Sequence, residues 1–325
     1  MRFAVIGSGS IVEKFISAGR LCEDFELYAV CSRTRERAEQ FAAQQGAKKA
    51  FWSLEDLAAC PEVEAVYVAS PNYAHCAQSI AMMRAGKHVL CEKPMASNAR
   101  EVEEMLACAR EMGVVLLEAM KPIFEPSFAT LRDALPALGT LRRASLTYCQ
   151  YSSRYDKFKA GQVLNAFNPA LSNSSLLDIG VYCVHPAVLL FGEPRSVQAT
   201  AVKLPNGFDG AGSILLSYGD FQVDIHYSKI ADGCIPSEFQ GENGSLLVDH
   251  ISVPQELTLC LRGQPRQTLP TVHEPQSMRF EIAAFQDIVR TRADVSAYHR
   301  ASLLAARVMD EARRQMGVIF PADEA

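Results

Sequence analysis

Hydrophobic positions in the first third of the chain come in short β-branched runs separated by longer amphipathic stretches, a rhythm that predicts βαβ units in a parallel sheet. Strands are expected at 3–6, 26–31, 65–69, 88–91 and 114–118, with helices near 35–45, 74–85 and 99–112 between them. Crossovers of that length imply right-handed connections. Beyond residue 124 the apolar pattern changes to strands joined by turns, at 142–152, 197–204, 213–218, 222–227 and 256–262, which reads as an open, largely antiparallel sheet. Asn243-Gly244, between strand segments at 237–240 and 245–248, predicts a hairpin, because consecutive positive φ angles are easiest for Asn and Gly. Helices are expected at 278–292 and 300–316, the second ended by Gly317 with Pro321 beyond it.

The glycine pattern sharpens the first of these architectures. Gly7-Ser8-Gly9-Ser10-Ile11-Val12 follows the first strand and opens a helix, the context in which a glycine fingerprint has meaning. Gly7 would permit the tight turn and Gly9 the approach of main chain to a pyrophosphate, while the helix N-terminus offers unpaired amides and a positive dipole end. The third glycine position holds Val12, a departure that bears on helix-to-strand packing more than on anion binding. The fold class expected is therefore α/β: an N-terminal Rossmann domain over residues 1–121, followed by a C-terminal α+β domain over 122–325 built on the open, largely antiparallel sheet. No low-complexity linker separates them, so the boundary is a change of rhythm.

The second strand ends in Cys31-Ser32-Arg33-Thr34-Arg35-Glu36-Arg37, where an NAD-specific site would carry an acidic residue for the ribose hydroxyls. Ser32 with Arg33 suits a 2′-phosphate instead, because guanidinium offers a planar, permanently charged fork. NADP(H) is thus favoured, with NAD(H) possible. Arg37 either joins that site or decorates an exposed first helical turn.

Composition removes several other classes of function. A chain of 325 residues is long enough for two domains, and 49% hydrophobic with 21% charged residues is ordinary for a folded protein. With 32 Lys and Arg against 37 Asp and Glu, the net charge of -5 supplies no basic stripe, so nucleic acid is not expected as a partner. The start, MRFAVIGSGS, lacks the apolar core of a signal peptide, and no segment approaches the roughly 18 to 20 apolar residues that span a bilayer. A cytoplasmic protein with no membrane partner is expected. Ten cysteines stand singly with no CxxC pair, and the seven histidines show no zinc-type spacing, so reduced thiols and no metal are expected.

Five motifs together carry a resemblance: Cys91-Glu92-Lys93-Pro94, Ser70-Pro71-Asn72-Tyr73-Ala74-His75, Glu118-Ala119-Met120, Leu177-Asp178-Ile179-Gly180-Val181-Tyr182 and Met316-Gly317-Val318-Ile319-Phe320-Pro321. Over its whole length the chain resembles the glucose-fructose oxidoreductase and inositol dehydrogenase (Gfo/Idh/MocA) family, nearest the dimeric dihydrodiol dehydrogenase-like members. The resemblance implies that Lys93 is catalytic and that Glu92, Ser70, Asn72 and His75 lie along the cofactor. It also places Asp178 to His185 on the family motif D-x-G-x-H-x-x-D, with Tyr182 at the usual His and His185 at the usual second Asp.

The chemistry implied is hydride transfer between nicotinamide and a carbinol or carbonyl carbon of a small sugar, polyol, cyclic diol or dicarbonyl. A phenol with an ordinary pKa near 10 is a poor base at neutral pH, so Tyr182 needs a neighbouring positive charge. Lys93 at about 4 Å, with an effective dielectric near 20, would supply at most about 4 kcal/mol. If the segment is helical, Asp178, Tyr182 and His185 share one face, from which Asp178 and His185 could bind substrate. Pro186 removes the bond to the Tyr182 carbonyl. Lys121 either selects an anionic substrate group or points to solvent. Alternatives are a non-catalytic dinucleotide sensor and an NAD-specific polyol dehydrogenase. An open sheet leaves an apolar face to cover, so a homodimer or homotetramer through the C-terminal sheet is expected.

Overall fold

A computed structural model describes residues 1–324 and resolves into two compact units. In the first, β1 (Arg2–Ile6), β2 (Glu26–Cys31), β3 (Lys49–Phe51), β4 (Ala65–Val68), β5 (His88–Glu92) and β6 (Leu116–Ala119) form a sheet of order β3-β2-β1-β4-β5-β6. Every pair is parallel. Strands buried on both faces need continuous apolar runs, and Phe3, Ala4, Val5, Val66, Tyr67, Val68, Val89 and Leu90 are all fully buried. The crossovers are α1 (Ser10–Gly19), α2 (Arg35–Gln45), α3 (Leu54–Ala58), α4 (His75–Arg84) and α5 (Ala99–Met112). Local chemistry sets their ends. Thr34, Ser53 and Asn98 accept backbone N–H groups in the first turns of α2, α3 and α5, while Gly46 and Gly113 close α2 and α5 in the left-handed conformation. Strand order reverses between β1 and β4, the switch point outside which open α/β sheets bind ligands.

The second unit is built on β7 (Leu141–Cys149), β8 (Ser196–Lys203), β9 (Asp209–Ser217), β10 (Gln222–Ser228), β11 (Ser237–Gly241), β12 (Gly244–Val248), β13 (Leu257–Leu261) and β14 (Gln267–Leu269). Their order is β14-β13-β12-β11-β7-β10-β9-β8, antiparallel except where β7 meets β10. Helices α6 (Pro126–Ala134), α7 (Tyr155–Lys159) and α8 (Val181–Phe191) precede β8, and α9 (Met278–Thr291) and α10 (Ser296–Met316) follow β14.

Register explains why this sheet has one dry face. The row Leu259, Leu246, Phe239, Ala144, Val223, Leu216 crosses six strands, and all six side chains are buried. The row on the opposite face reads Thr258, Leu247, Glu238, Ser145, Asp224, Leu215, Gln198. That face is therefore mixed, not apolar as expected, and Arg143 reaches across it to Asp224 at 2.5 Å.

Two further expectations are corrected. The β11–β12 hairpin forms, but Asn243 has no positive φ; Gly241 pairs with Gly244, and neither has room for a Cβ, which would lie 2.2 Å from the Leu138 carbonyl oxygen at Gly241 and 2.2 Å from the Cys260 carbonyl oxygen at Gly244 (φ +157°). Residues Glu274–Ser302 belong to the first unit, not to a second domain running over 122–325. The cause is aromatic packing: Phe285 on α9 sits 5.9 Å from Phe3 on β1, itself stacked on Phe25 at 5.1 Å. Arg279 and Glu23 carbonyls accept from Cys22 and Gln286 to pin the same helix.

Candidate active site

The turn after β1 is shaped by close approach. Gly7 adopts φ +124°, and a Cβ there would stand 2.6 Å from the Ala69 carbonyl oxygen at the end of β4. Gly9 caps α1 with no side-chain acceptor, and a Cβ on it would meet nothing within 4 Å. The start of α1 thus has open space beside Gly9, as the approach of a dinucleotide pyrophosphate requires. Ser10 and Ile11 are exposed in that first turn, and Val12 is fully buried, its Cγ2 3.4 Å from the position a Gly7 Cβ would take. The departure at the third glycine is absorbed by packing.

The basic segment after β2 divides. Arg37 reaches back to the glycine turn, its Nε donating to Ser8 Oγ at 2.5 Å and its Nη2 to the Ser8 carbonyl at 3.2 Å. Arg35 instead pairs with Glu39 and lies 5.1 Å over the Trp52 ring. Ser32 is half-buried, its N–H donating to Phe51, and Arg33 is exposed beside it.

At the carboxyl ends of β4, β5 and β6 several predicted residues converge. Lys93 follows β5, half-buried, with a cis peptide to Pro94. His75, expected along the cofactor, turns inward. It is 1% exposed, with Nδ1 2.9 Å from the Pro94 carbonyl and Nε2 2.9 Å from the Ser70 carbonyl, so both nitrogens brace the loops that carry Lys93 and Ser70. Burial holds its pKa below the ordinary value. Ser70 and Asn72, half-buried, stand at the start of that brace.

Glu92 also turns inward. It accepts a bond from Tyr67 Oη and one from the Lys93 N–H at 3.2 Å, which makes it a support for Lys93. Burial pushes its carboxyl up, and the Lys93 and Lys121 ammonium groups oppose this. Lys121, half-buried after β6, lies close enough to act on the same carboxyl. Glu118, quoted in a motif but given no role, is 6% exposed, accepts from Met95 N–H at 3.0 Å, and is pushed up to about 7 by burial. Two buried carboxyls thus stand behind one half-buried ammonium.

In the second unit Asp178 lies on a π-helical turn, Leu176–Gly180, that runs directly into α8. Its origin is remote. Asp209, fully buried on β9, accepts the N–H groups of Ser175 at 2.8 Å and Leu176 at 3.0 Å and the Tyr227 hydroxyl at 3.0 Å. Gly180 packs closely there: a Cβ would lie 2.8 Å from Leu176 Cδ1 and 3.1 Å from the Tyr227 ring. The wider turn breaks the expected single face. Asp178 and Tyr182 remain half-buried, but His185 is 1% exposed and burial lowers its pKa to about 3. His185 is corrected from a substrate ligand to a packed, neutral core residue. The Tyr182 ring meets Tyr148 edge-to-face at 5.7 Å, and Asp178 Oδ2 is 2.6 Å from Lys229 Nζ.

Among the described residues no helix is long and apolar enough to cross a membrane. A family model described as "Oxidoreductase family, NAD-binding Rossmann fold" matches residues 1–120, and one described as "GFO/IDH/MocA C-terminal domain" matches residues 128–247. The chain is 45% identical over 328 aligned positions to scyllo-inositol 2-dehydrogenase (NADP(+)) IolU of Bacillus subtilis, covering 100% of both. It is 31% identical over 342 positions to trans-1,2-dihydrobenzene-1,2-diol dehydrogenase of Oryctolagus cuniculus, covering 98% of this chain and 100% of that one. A 3-ketoreductase of Actinomadura kijaniata, solved with NADP, shares the fold with a TM-score of 0.85 at 23% identity, covering 98% of this chain and 99% of that one. A glycine turn at the sheet's switch point, an E-K-P strand end and matches spanning both units have one reading: the chain belongs to the Gfo/Idh/MocA family of oxidoreductases.

Proposed function

We propose that the protein is an NADP-dependent dehydrogenase of a small polyol, with a cyclitol as the favoured substrate. The observation that carries this reading is Lys93, whose backbone is held at the carboxyl end of β5 by Glu92 and by the His75 brace on Pro94, with the buried Glu92 and Glu118 carboxyls close by. An ammonium in that position polarises a substrate oxygen and stabilises alkoxide character. Tyr182, on the first turn of α8, exchanges the hydroxyl proton, and Asp178 accepts hydrogen bonds from neighbouring hydroxyls. Bound NADP+ supplies the hydride acceptor.

The residues fit that coenzyme. Gly7, Gly9 and the first amides of α1 suit its pyrophosphate, and Ser32, Arg33 and Arg37 suit its 2′-phosphate, since β2 ends without a carboxylate. Ser70, Asn72 and Lys121 border the same strand ends. The full-length similarity to an NADP-dependent scyllo-inositol dehydrogenase supports both cofactor and substrate class.

NADPH formation across inositols, sugars and cyclic diols tests the reading, with at least one cyclitol expected to turn over and NADP+ to outperform NAD+. Arg33→Ala is expected to weaken NADP+ binding about 10-fold and NAD+ binding little, the loss of one charge-assisted phosphate contact. No turnover with any polyol would refute the activity, and equal weakening of both coenzymes would refute the phosphate site. The same reading makes the protein a cytoplasmic homodimer or homotetramer joined through the mixed face of the β7–β14 sheet. Light scattering that returns the mass of a single chain rules out the assembly, and fractionation that finds the chain outside the cytosol rules out the compartment.

A further inference from the structure

Lys229, the residue after β10, is a buried cation with an asymmetric partner. Its side chain is 4% exposed, whereas that of Asp178, 2.6 Å from its Nζ, is 33% exposed. The ammonium also donates to the Ala166 carbonyl at 2.9 Å and lies 4.8 Å over the Phe167 ring and 5.5 Å over that of Phe208. Its backbone is fixed as well: its N–H donates to Gly210 at 2.8 Å and its carbonyl accepts from Ser152 at 2.9 Å. A cation sealed by two rings and a carbonyl cannot swing into water, so its partner cannot swing either.

The consequence falls on Asp178. Its Oδ2 is anchored from inside the fold, while a third of its side chain remains exposed. An exposed carboxylate on an ordinary helix would sample several rotamers and lose that entropy on binding. Here the ordering is done by the fold. A carboxylate held still and already charge-compensated is a hydrogen-bond acceptor for neutral hydroxyls and a weak attractor of free cations.

We propose that Lys229 is a positioning residue for substrate recognition: it locks Asp178 so that its carboxylate accepts hydrogen bonds from vicinal hydroxyls of a neutral polyol. The proposal rests on the dehydrogenase reading above and adds to it the residue that fixes hydroxyl selectivity. Lys229 itself touches no substrate.

Initial rates of NADP+ reduction with scyllo-inositol, and with the fastest polyol of the panel, test this on the full chain. Lys229→Met is expected to raise the polyol KM at least 10-fold, with kcat within about 3-fold and NADPH affinity unchanged, an effect of about 1.4 kcal/mol per tenfold. Lys229→Arg restores most of the lost KM. In an Asp178→Asn background Lys229→Met adds no further rise, because its effect passes through Asp178. Should the Met variant fail to fold, Lys229→Gln carries the same comparison. An unchanged KM, an equal rise in the Asp178→Asn background, or a parallel loss of NADPH affinity would overturn the proposal. Inactivity of the wild type towards every polyol would instead refute the dehydrogenase reading, a failure visible before any variant is made.

Discussion

Replacing Tyr182 by Phe lowers turnover about 10²-fold to 10⁴-fold while leaving NADP(H) affinity unchanged. The ring sits on the first turn of α8 against Tyr148 at 5.7 Å, edge-to-face, and Phe preserves that contact. The substitution removes only the hydroxyl, so stability should change by less than about 1 kcal/mol. What is lost is the group proposed to take the proton as hydride leaves the carbinol. Steady-state rates with the best polyol, combined with NADPH fluorescence titration, check this, and near wild-type turnover would remove Tyr182 from the reaction.

Replacing Asp209 by Ala destabilises the second unit by about 2–4 kcal/mol, the cost of leaving buried donors unsatisfied. The carboxylate gathers Ser175 N–H, Leu176 N–H and Tyr227 Oη at one fully buried point. Burial pushes its pKa up to about 6, against the pull of those three donors. Removing it strands the two backbone N–H groups, while the Tyr227 hydroxyl keeps Met316 Sδ at 3.4 Å, and a stranded N–H in an apolar interior costs more than a mean hydrogen bond contributes. The melting transition should fall by roughly 5–10 °C. Because the π-helical turn starts at these amides, the polyol KM should rise as well, since Asp178 and Tyr182 lose their fixed relation. Unchanged melting and an unchanged KM would mean that the turn forms without Asp209.

These two sites differ in how far they could be read from residues alone. The glycine turn and the strand-end lysine were legible because their determinants are local: a strand, two glycines and a helix start within a few positions, and βαβ rhythm around them. The family pattern likewise located Asp178 and Tyr182. The π-helical turn was not legible, because Asp209 sits 34 residues from Ser175 and nothing near Asp178 announces it. His185 was misread for the same reason, as an α-helical spacing was carried across a segment wound more widely.

Other surprises share that character. The inward turn of His75 depends on Pro94, 19 residues away. Lys229 meets Asp178 across 51 residues, and a lone lysine after a strand carries no signal of burial. Placement of α9 in the first unit depends on Phe3 and Phe285, at opposite ends of the chain. Short elements such as β3, with three residues, offer too little periodicity to register. Periodicity locates elements, whereas long-range pairing decides which way functional side chains turn.

The most direct test of the proposed chemistry is a crystal structure of the protein with NADP+ and a polyol bound. Lys93 Nζ and Tyr182 Oη are expected within about 3.2 Å of one substrate hydroxyl, whose carbon lies roughly 3–3.5 Å from nicotinamide C4. A complex with either head group remote from the coenzyme ring would contradict the proposed reaction.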